Sequence, residues 1–245
     1  EKVMVEYSQP NTHKSFHIGH LRNVCLGDAL ANIMEFSGYE TVRANYIGDV
    51  GAHVAKCLWG YMKFYDGVIP EKNKGDFLGK VYSESDNKIK ESNEYQEEYK
   101  VVLKNLYEGD KKTLDVWKMT REWSLEEFNR IYKELGVNFD IFLYESEVKD
   151  EGTKIARELL DTGVAKNKEG AVIVDLKESG LDEFVILRSD GTALYSTKDL
   201  ALAERKFQDF RIDRSLYVVG SEQKFYFKQL FKTLELMGFS QAKKC

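Results

Sequence analysis

The sequence is short of residues that cross-link, interrupt or anchor a chain. Three cysteines, Cys25, Cys57 and Cys245, stand in 245 residues. They are too sparse for a disulfide framework or a CxxC metal site, and they point to a reducing compartment. There are only two prolines, Pro10 and Pro70, and four histidines. No apolar run reaches the roughly 18 residues that a membrane span needs, so no membrane partner is expected. Glu1-Lys2-Val3-Met4 lacks the charged-then-apolar plan of a secretory signal, and a cytoplasmic protein is the expectation. Basic charge is not in excess: 36 Lys and Arg oppose 41 Asp and Glu, a formal net charge of −5. That balance argues against a surface that broadly coats nucleic acid, although a local patch escapes such a count. What remains is 42% hydrophobic and 31% charged, a globular composition with enough chain for one large domain or one domain carrying an insertion.

Hydrophobic periodicity gives the organisation. Val3-Met4-Val5-Glu6-Tyr7 reads as a strand ended by Pro10 and Asn11, because proline removes a ladder donor and asparagine favours turns. Leu21, Val24, Cys25, Ala29, Leu30, Ile33 and Met34 recur at three- and four-residue steps, predicting a helix over 20–37 stopped by Gly38. Thr41–Tyr46 is a second strand, and Gly48-Asp49-Val50-Gly51 turns into a helix reaching about Tyr65. This rhythm predicts a right-handed parallel βαβ unit. Between Gly67 and Gly136 the chain is highly charged, with helical spacing at Leu103, Leu106, Leu114 and Trp117. Ten acidic residues and nine lysines lie between Glu71 and Lys112, so these helices present a solvated surface rather than a basic stripe. Phe139–Leu143 is a strand and 149–161 a helix. Val164–Lys166 and Ala171–Val174 form one hairpin; Phe184–Arg188 and Thr192–Tyr195, around Ser189-Asp190-Gly191, form another. A helix from about Thr197, the strand Leu216–Gly220 and a helix from Glu222 to Met237 close the chain. The fold expected is α/β: a Rossmann-type, doubly wound parallel sheet split by a mixed helical and β-hairpin insertion.

In such sheets ligands bind past the carboxyl ends of the strands, and the turns at 8–19, 46–51, 196–199 and 220–223 are placed there. The sharpest signal is His17-Ile18-Gly19-His20, which holds two of the four histidines at the start of a helix. Helix amides and the dipole favour a phosphate at that point, and imidazoles can donate to phosphoryl oxygens as charge builds. A pair of capping or packing histidines is the plain alternative. No cysteine or glutamate stands beside these histidines to complete a ligand set, so no protein-bound metal is expected. Lys14 could lie beside phosphates or be an ordinary solvated lysine. Asn11 could bind a ligand, though turn chemistry after Pro10 explains it. Glu6 is costly to bury unpaired and calls for solvent or a cation. Asp49 reads as a helix cap and His53 as a satisfied helix histidine. Asp199 falls in a first helical turn favoured by the dipole, or grips a planar guanidinium through a bidentate pair. Tyr195 is a wall or a core aromatic. Gly220 would admit a ligand to the backbone, and Gln223 could read donors on a substrate.

Taken together, Glu6-Tyr7-Ser8-Gln9-Pro10-Asn11-Thr12-His13-Lys14-Ser15-Phe16-His17-Ile18-Gly19-His20-Leu21-Arg22-Asn23 resembles the first signature block of the class I aminoacyl-tRNA synthetases, specifically the arginyl-tRNA synthetases. Asn45–Gly51, Tyr195–Asp199 and Val218–Gln223 resemble three further blocks in the same order. The resemblance implies ATP-dependent activation of L-arginine to arginyl-adenylate and transfer to tRNA(Arg), with tRNA present before activation. It implies a HUP-like nucleotide-binding catalytic domain in two halves, 1–67 and 183–245, separated by a connective insertion over 68–182. Residues matching Lys14, His17 and His20 would be catalytic. His17, Gly19 and His20 would bind ATP; Glu6, Gln9, Asn11, His20, Tyr195, Asp199 and Gln223 would line or adjoin the arginine pocket. Magnesium would accompany ATP without protein ligands, and tRNA would be held mainly by domains outside this chain, in a monomer. The chain stops at Lys243-Lys244-Cys245, before the second signature loop (Lys-Met-Ser-Lys or a variant), which suggests a catalytic-domain fragment of a longer enzyme. Gln9 and Val50 stand where relatives often hold Ser and Trp. Two other readings stay open: an adenylyltransferase of the same fold acting on another small metabolite, and a non-catalytic module that binds arginine and ATP.

Overall fold

The computed structural model describes residues 1–189 and 194–245. In chain order its elements are β1 (Lys2–Glu6), α1 (Ile18–Phe36), β2 (Glu40–Ile47), α2 (Ala52–Phe64), α3 (Lys74–Glu91), α4 (Asn93–Glu108), α5 (Lys111–Leu135) and β3 (Ile141–Tyr144). They continue with α6 (Lys149–Asp161), β4 (Ala165–Lys168), β5 (Ala171–Val174), β6 (Phe184–Leu187), α7 (Tyr195–Phe210), β7 (Arg214–Tyr217) and α8 (Lys224–Leu236). Packing divides the chain into two compact units. One comprises Glu1–Ser8, Arg22–Tyr46 and Phe139–Cys245; the other comprises Gln9–Leu21 and Ile47–Asn138.

In the first unit the central sheet has the order β3-β2-β1-β7. β1 runs parallel to β2, from Lys2 opposite Glu40 to Glu6 opposite Ala44, and parallel to β7, from Val3 opposite Arg214 to Glu6 opposite Tyr217. Val3, Met4 and Val5 are fully buried, as an unbroken apolar run must be in a strand covered on both faces. α1 crosses close to Tyr7 because residue 27 is glycine: a Cβ there would stand 2.1 Å from Cγ of Tyr7. β3, expected inside the insertion, joins the central sheet beside β2. The Asp140 N–H donates to the Arg43 carbonyl at 2.9 Å, and the Asp140 carboxylate accepts the Arg43 N–H at 2.8 Å.

A second, antiparallel sheet has the order β4-β5-β6, with Ala165 opposite Val174 and Val174 opposite Phe184. The first predicted hairpin is present. Of the second, β6 is present and pairs with β5 as well, the Leu194 N–H donates to the Ile186 carbonyl at 3.3 Å, and Tyr195 opens α7 instead of ending a strand. Asp190, Gly191, Thr192 and Ala193 of that expectation lie outside the described residues. Hydroxyls also hold the start of α7 to β6: Ser196 donates to the Val185 carbonyl at 2.6 Å and Thr197 to the Ile186 carbonyl at 2.8 Å. Leu159, Val174, Ile186, Leu200, Leu230 and Leu234 form the core that fixes α6, α7 and α8. Each such side chain contributes about 1.5–3 kcal/mol by leaving water.

The second unit is helical. Val54, Leu58 and Leu106 form one apolar cluster, and Cys57, Tyr61, Leu78 and Trp123 another. The helical spacing through Leu103 and Trp117 spans two helices. Gly109, at φ 84°, ends α4, and the Asp110 carboxylate accepts the Thr113 N–H at 2.9 Å to start α5. Among the described residues no helix is long and apolar enough to cross a membrane.

Candidate functional site

The second unit carries the His17–His20 segment. Three non-glycine residues of the turn that follows β1 occupy the left-handed region: Ser8, Gln9 and His13, at φ 74°, 51° and 62°. Such residues cost about 1–3 kcal/mol each and persist only where the surroundings over-determine them. Here the restraints are explicit. The Gly48 N–H donates to the Pro10 carbonyl at 3.1 Å, the Thr12 N–H donates to the Gly48 carbonyl at 2.9 Å, and Asn11 bridges Gly48 in parallel register. The His13 N–H donates to Ser124 Oγ at 2.9 Å, and its ring lies between Thr12 Oγ1 at 2.9 Å and Thr120 Oγ1 at 2.8 Å. Burial pushes the His13 imidazole down to about 3, aided by His53 and Arg121. Asp49 does not cap α2, whose cap position is Gly51 without a side-chain bond. Its buried carboxylate instead pairs with Arg121 Nε of α5 at 2.7 Å. α3 lies tight against the same segment, since a Cβ on Gly79 would stand 1.9 Å from Ser15 Oγ.

This scaffold presents Lys14, His17 and His20. The two imidazoles stack with centroids 3.8 Å apart and planes 23° apart. His17 Nδ1 accepts the Gly19 N–H at 3.1 Å, and His20 Nδ1 accepts the His17 N–H at 3.3 Å. Both Nδ1 atoms act as acceptors, so the network assigns the ring protons to Nε2, leaving two Nε2–H donors beyond those contacts. His17 therefore caps the helix as the plain alternative predicted, yet keeps its outer nitrogen for a ligand. Glycine at 19 makes the capping fold possible: a Cβ there would stand 2.9 Å from His17 Cε1. Burial, together with His17 and Lys14, pushes His20 down to about 4, so its ring is neutral at pH 7. Lys14 Nζ sits 4.8 Å from the Tyr82 ring centroid, partly buried rather than simply solvated. Gln9 and Asn11 are half-buried in the same turn.

The first unit carries Glu6, Tyr195, Asp199 and Gln223. Glu6 is buried at the end of β1 and paired with the fully buried Lys206 of α7, which answers its need for a cation. A second buried pair joins Lys198 of α7 to Glu145, in the turn after β3, at 2.5 Å. Asp199 is the third carboxylate of this group. It is the fifth residue of α7, beyond the first turn, so the dipole does not account for it. Among the described residues it has no lysine or arginine within ion-pair distance, and its Oδ2 accepts the Tyr226 hydroxyl of α8. Burial pushes its carboxyl up to about 7, with Glu6 and Glu145 adding to the rise and Tyr226 and Lys206 opposing it. The Tyr46 hydroxyl of β2 is buried with no hydrogen-bond partner among the described residues, within the field of these acids. Tyr195 is 53% exposed, its ring 5.9 Å from Lys198 Nζ. Gln223 is exposed in a single 3-10 turn, Ser221–Gln223, which precedes α8 where a continuous helix from Glu222 was expected. The space over Gly220 is filled by the Glu222 carboxylate, 2.1 Å from where a Cβ would stand.

Sequence reasoning missed Tyr226, Tyr46, Glu145 and Lys206. Lys206 left a trace: it falls seven residues after Asp199, beside Phe207 on the apolar stripe of a helix, where a lysine needs a buried partner. Tyr226 left none, because an aromatic on an amphipathic helix reads as core.

All of residues 1–245 match the family model described as "tRNA synthetases class I (R), catalytic domain". An "Arginine--tRNA ligase" of Bdellovibrio bacteriovorus is 42% identical over 250 residues, covering 100% of this chain and 43% of that protein. Another, of Porphyromonas gingivalis, is 38% identical over 262 residues, covering 98% of this chain and 44% of that protein. The chain thus spans under half the length of these curated relatives. The crystal structure of an arginyl-tRNA synthetase from Plasmodium falciparum matches with a TM-score of 0.80 over 96% of this chain and 40% of that one; at 22% identity the likeness is one of fold.

Proposed function

The chain belongs to the family of class I arginyl-tRNA synthetase catalytic domains, and we propose that it activates L-arginine with ATP within a longer cytoplasmic, monomeric protein that passes the arginyl group to tRNA(Arg). The reaction needs no general base, because an α-carboxylate is already ionised at pH 7. One carboxylate oxygen attacks the α-phosphorus while the bond to the oxygen bridging the β-phosphorus breaks. Pyrophosphate leaves with that electron pair, and no proton moves. Catalysis then consists of placement and charge stabilisation.

The residue roles follow from chemistry. Lys14 supplies the positive charge for the triphosphate, since His20 is neutral at pH 7. The Nε2–H groups of His17 and His20 donate to phosphoryl oxygens, and Gly19 keeps the helix start open to the nucleotide. Magnesium would arrive bound to ATP, which suits a segment offering donors and no carboxylate, and would offset phosphate charge. Asp199 pairs with the guanidinium, Tyr195 walls the side chain, and Gln9, Asn11 and Gln223 offer polar atoms to the amino acid. Glu6, already paired with Lys206, shapes the field around the pocket rather than adding a second free anion.

One observation supports this reading: among the described residues, two of the three carboxylates in this group have lysine partners and Asp199 does not. A guanidinium supplies the missing cation in a form suited to bidentate pairing. Calorimetric titration with L-arginine, L-lysine and L-citrulline tests it. Arginine should bind, and citrulline should bind at least about 100-fold more weakly, because it leaves a desolvated carboxylate unpaired. No arginine binding by the folded chain would overturn the pocket. Arginine binding by a longer parent that shows no tRNA-dependent pyrophosphate exchange would favour the non-catalytic module; exchange driven by another metabolite would favour the alternative adenylyltransferase.

A further inference from the structure

Glu6, Glu145 and Asp199 come from β1, the turn after β3, and α7, and the partner of Asp199 differs in kind from those of the other two. Lys206 neutralises Glu6 and Lys198 neutralises Glu145. Among the described residues Asp199 meets a phenol instead: Tyr226 of α8 donates to Oδ2. A phenol leaves the carboxylate's charge in place, whereas a lysine would cancel it and close the site to a cationic ligand. It also occupies one oxygen and so orients the other.

We propose that Tyr226 is a positioning residue for cation recognition, holding Asp199 by Oδ2 in its ionised form so that Oδ1 meets the guanidinium. This deepens the proposed function and rests on it. Tyr226 is itself fixed: its ring packs 5.6 Å from that of Phe184 and 5.5 Å from that of Phe227, so the hydroxyl has little freedom to leave the carboxylate. The groups around Asp199 act in opposite directions. Burial and the charges of Glu6 and Glu145 favour its neutral form, while Tyr226 and Lys206 favour the anion. Lys198 is held by Glu145, and Tyr46 brings a neutral hydroxyl from β2. Among the described residues Tyr226 is thus the partner in direct contact that keeps the charge available.

The test compares the intact chain with Tyr226→Phe, which keeps the ring packing and deletes the hydroxyl. Carbon NMR titration of the Asp199 carboxyl, without ligand, should move its midpoint upward from near 7 by about one pH unit in the variant. Calorimetry should show arginine affinity in the variant falling about tenfold at pH 7 and recovering by pH 9, as the carboxyl ionises. A purely structural role predicts a uniform loss at every pH with an unmoved carboxyl midpoint, and that result overturns the proposal. An unchanged midpoint with unchanged affinity overturns it too. If the midpoint moves but neither protein binds arginine, the arginine assignment of the proposed function fails, and with it the recognition role given to Tyr226; the titration separates the two failures.

Discussion

Single residues in this protein are decided by whether a buried charge has a partner. Glu6 and Lys206 are both buried and paired, so removing one takes from the other its opposite charge. Lys206→Met should lower the free energy of unfolding by about 3–5 kcal/mol, measured by chemical denaturation, whereas the exposed Arg214–Glu1 contact at 3.6 Å should be nearly silent. The buried histidines make an acid-side prediction. His13 and His20 are held at about 3 and about 4, below their ordinary value near 6.5. Between those values the unfolded chain takes protons that the native chain refuses. Stability conferred by these neutral rings is therefore complete above about pH 6.5 and falls as pH drops, by up to about 1.4 kcal/mol per pH unit for each histidine. Asp199 runs the other way over pH 4–7, because its raised carboxyl binds a proton in the native state first. Denaturation from pH 7 to 5 should thus show a shallower acid loss in His13→Asn than in the wild-type chain, whatever that variant's overall stability.

At the scale of elements, glycines and caps set what can lie close to what. Gly27 lets α1 pass over Tyr7 and Gly79 lets α3 pass over Ser15. Alanine is the better helix former by about 1 kcal/mol, yet Gly27→Ala should destabilise by about 1–3 kcal/mol, because the methyl meets a fully buried ring that has nowhere to move. A melting curve decides the sign, and a rise in Tm would refute the packing argument. Most elements were legible in the sequence. The continuous apolar run at Val3–Val5 and the three- and four-residue spacing in α1 are local signals that tertiary packing reinforces. The failures were non-local. Phe184–Leu187 carries the right pattern for a strand, but nothing local says that it also pairs with β5. Ile141–Tyr144 reads as a strand, but not as one that extends the central sheet.

At the scale of the molecule, the candidate residues fall into two groups of different chemistry. One, in the helical unit, offers two Nε2–H donors and a lysine. The other, around the central sheet, offers a carboxylate held by a phenol and, among the described residues, without a cationic partner. The sequence singles out His17 and His20 by their place at a helix start, leaves Lys14 and Asp199 with plain alternatives, and offers roles for all four only through the family resemblance. It could not identify Tyr226 or Lys206, whose roles exist only once α7 and α8 are packed. Recognition of a guanidinium by Asp199 underlies the proposed function. Calorimetric titration with L-arginine of the chain and of its Asp199→Asn variant tests it. Affinity should fall about tenfold or more in the variant. Equal affinity in the two, with both folded, would contradict the assignment.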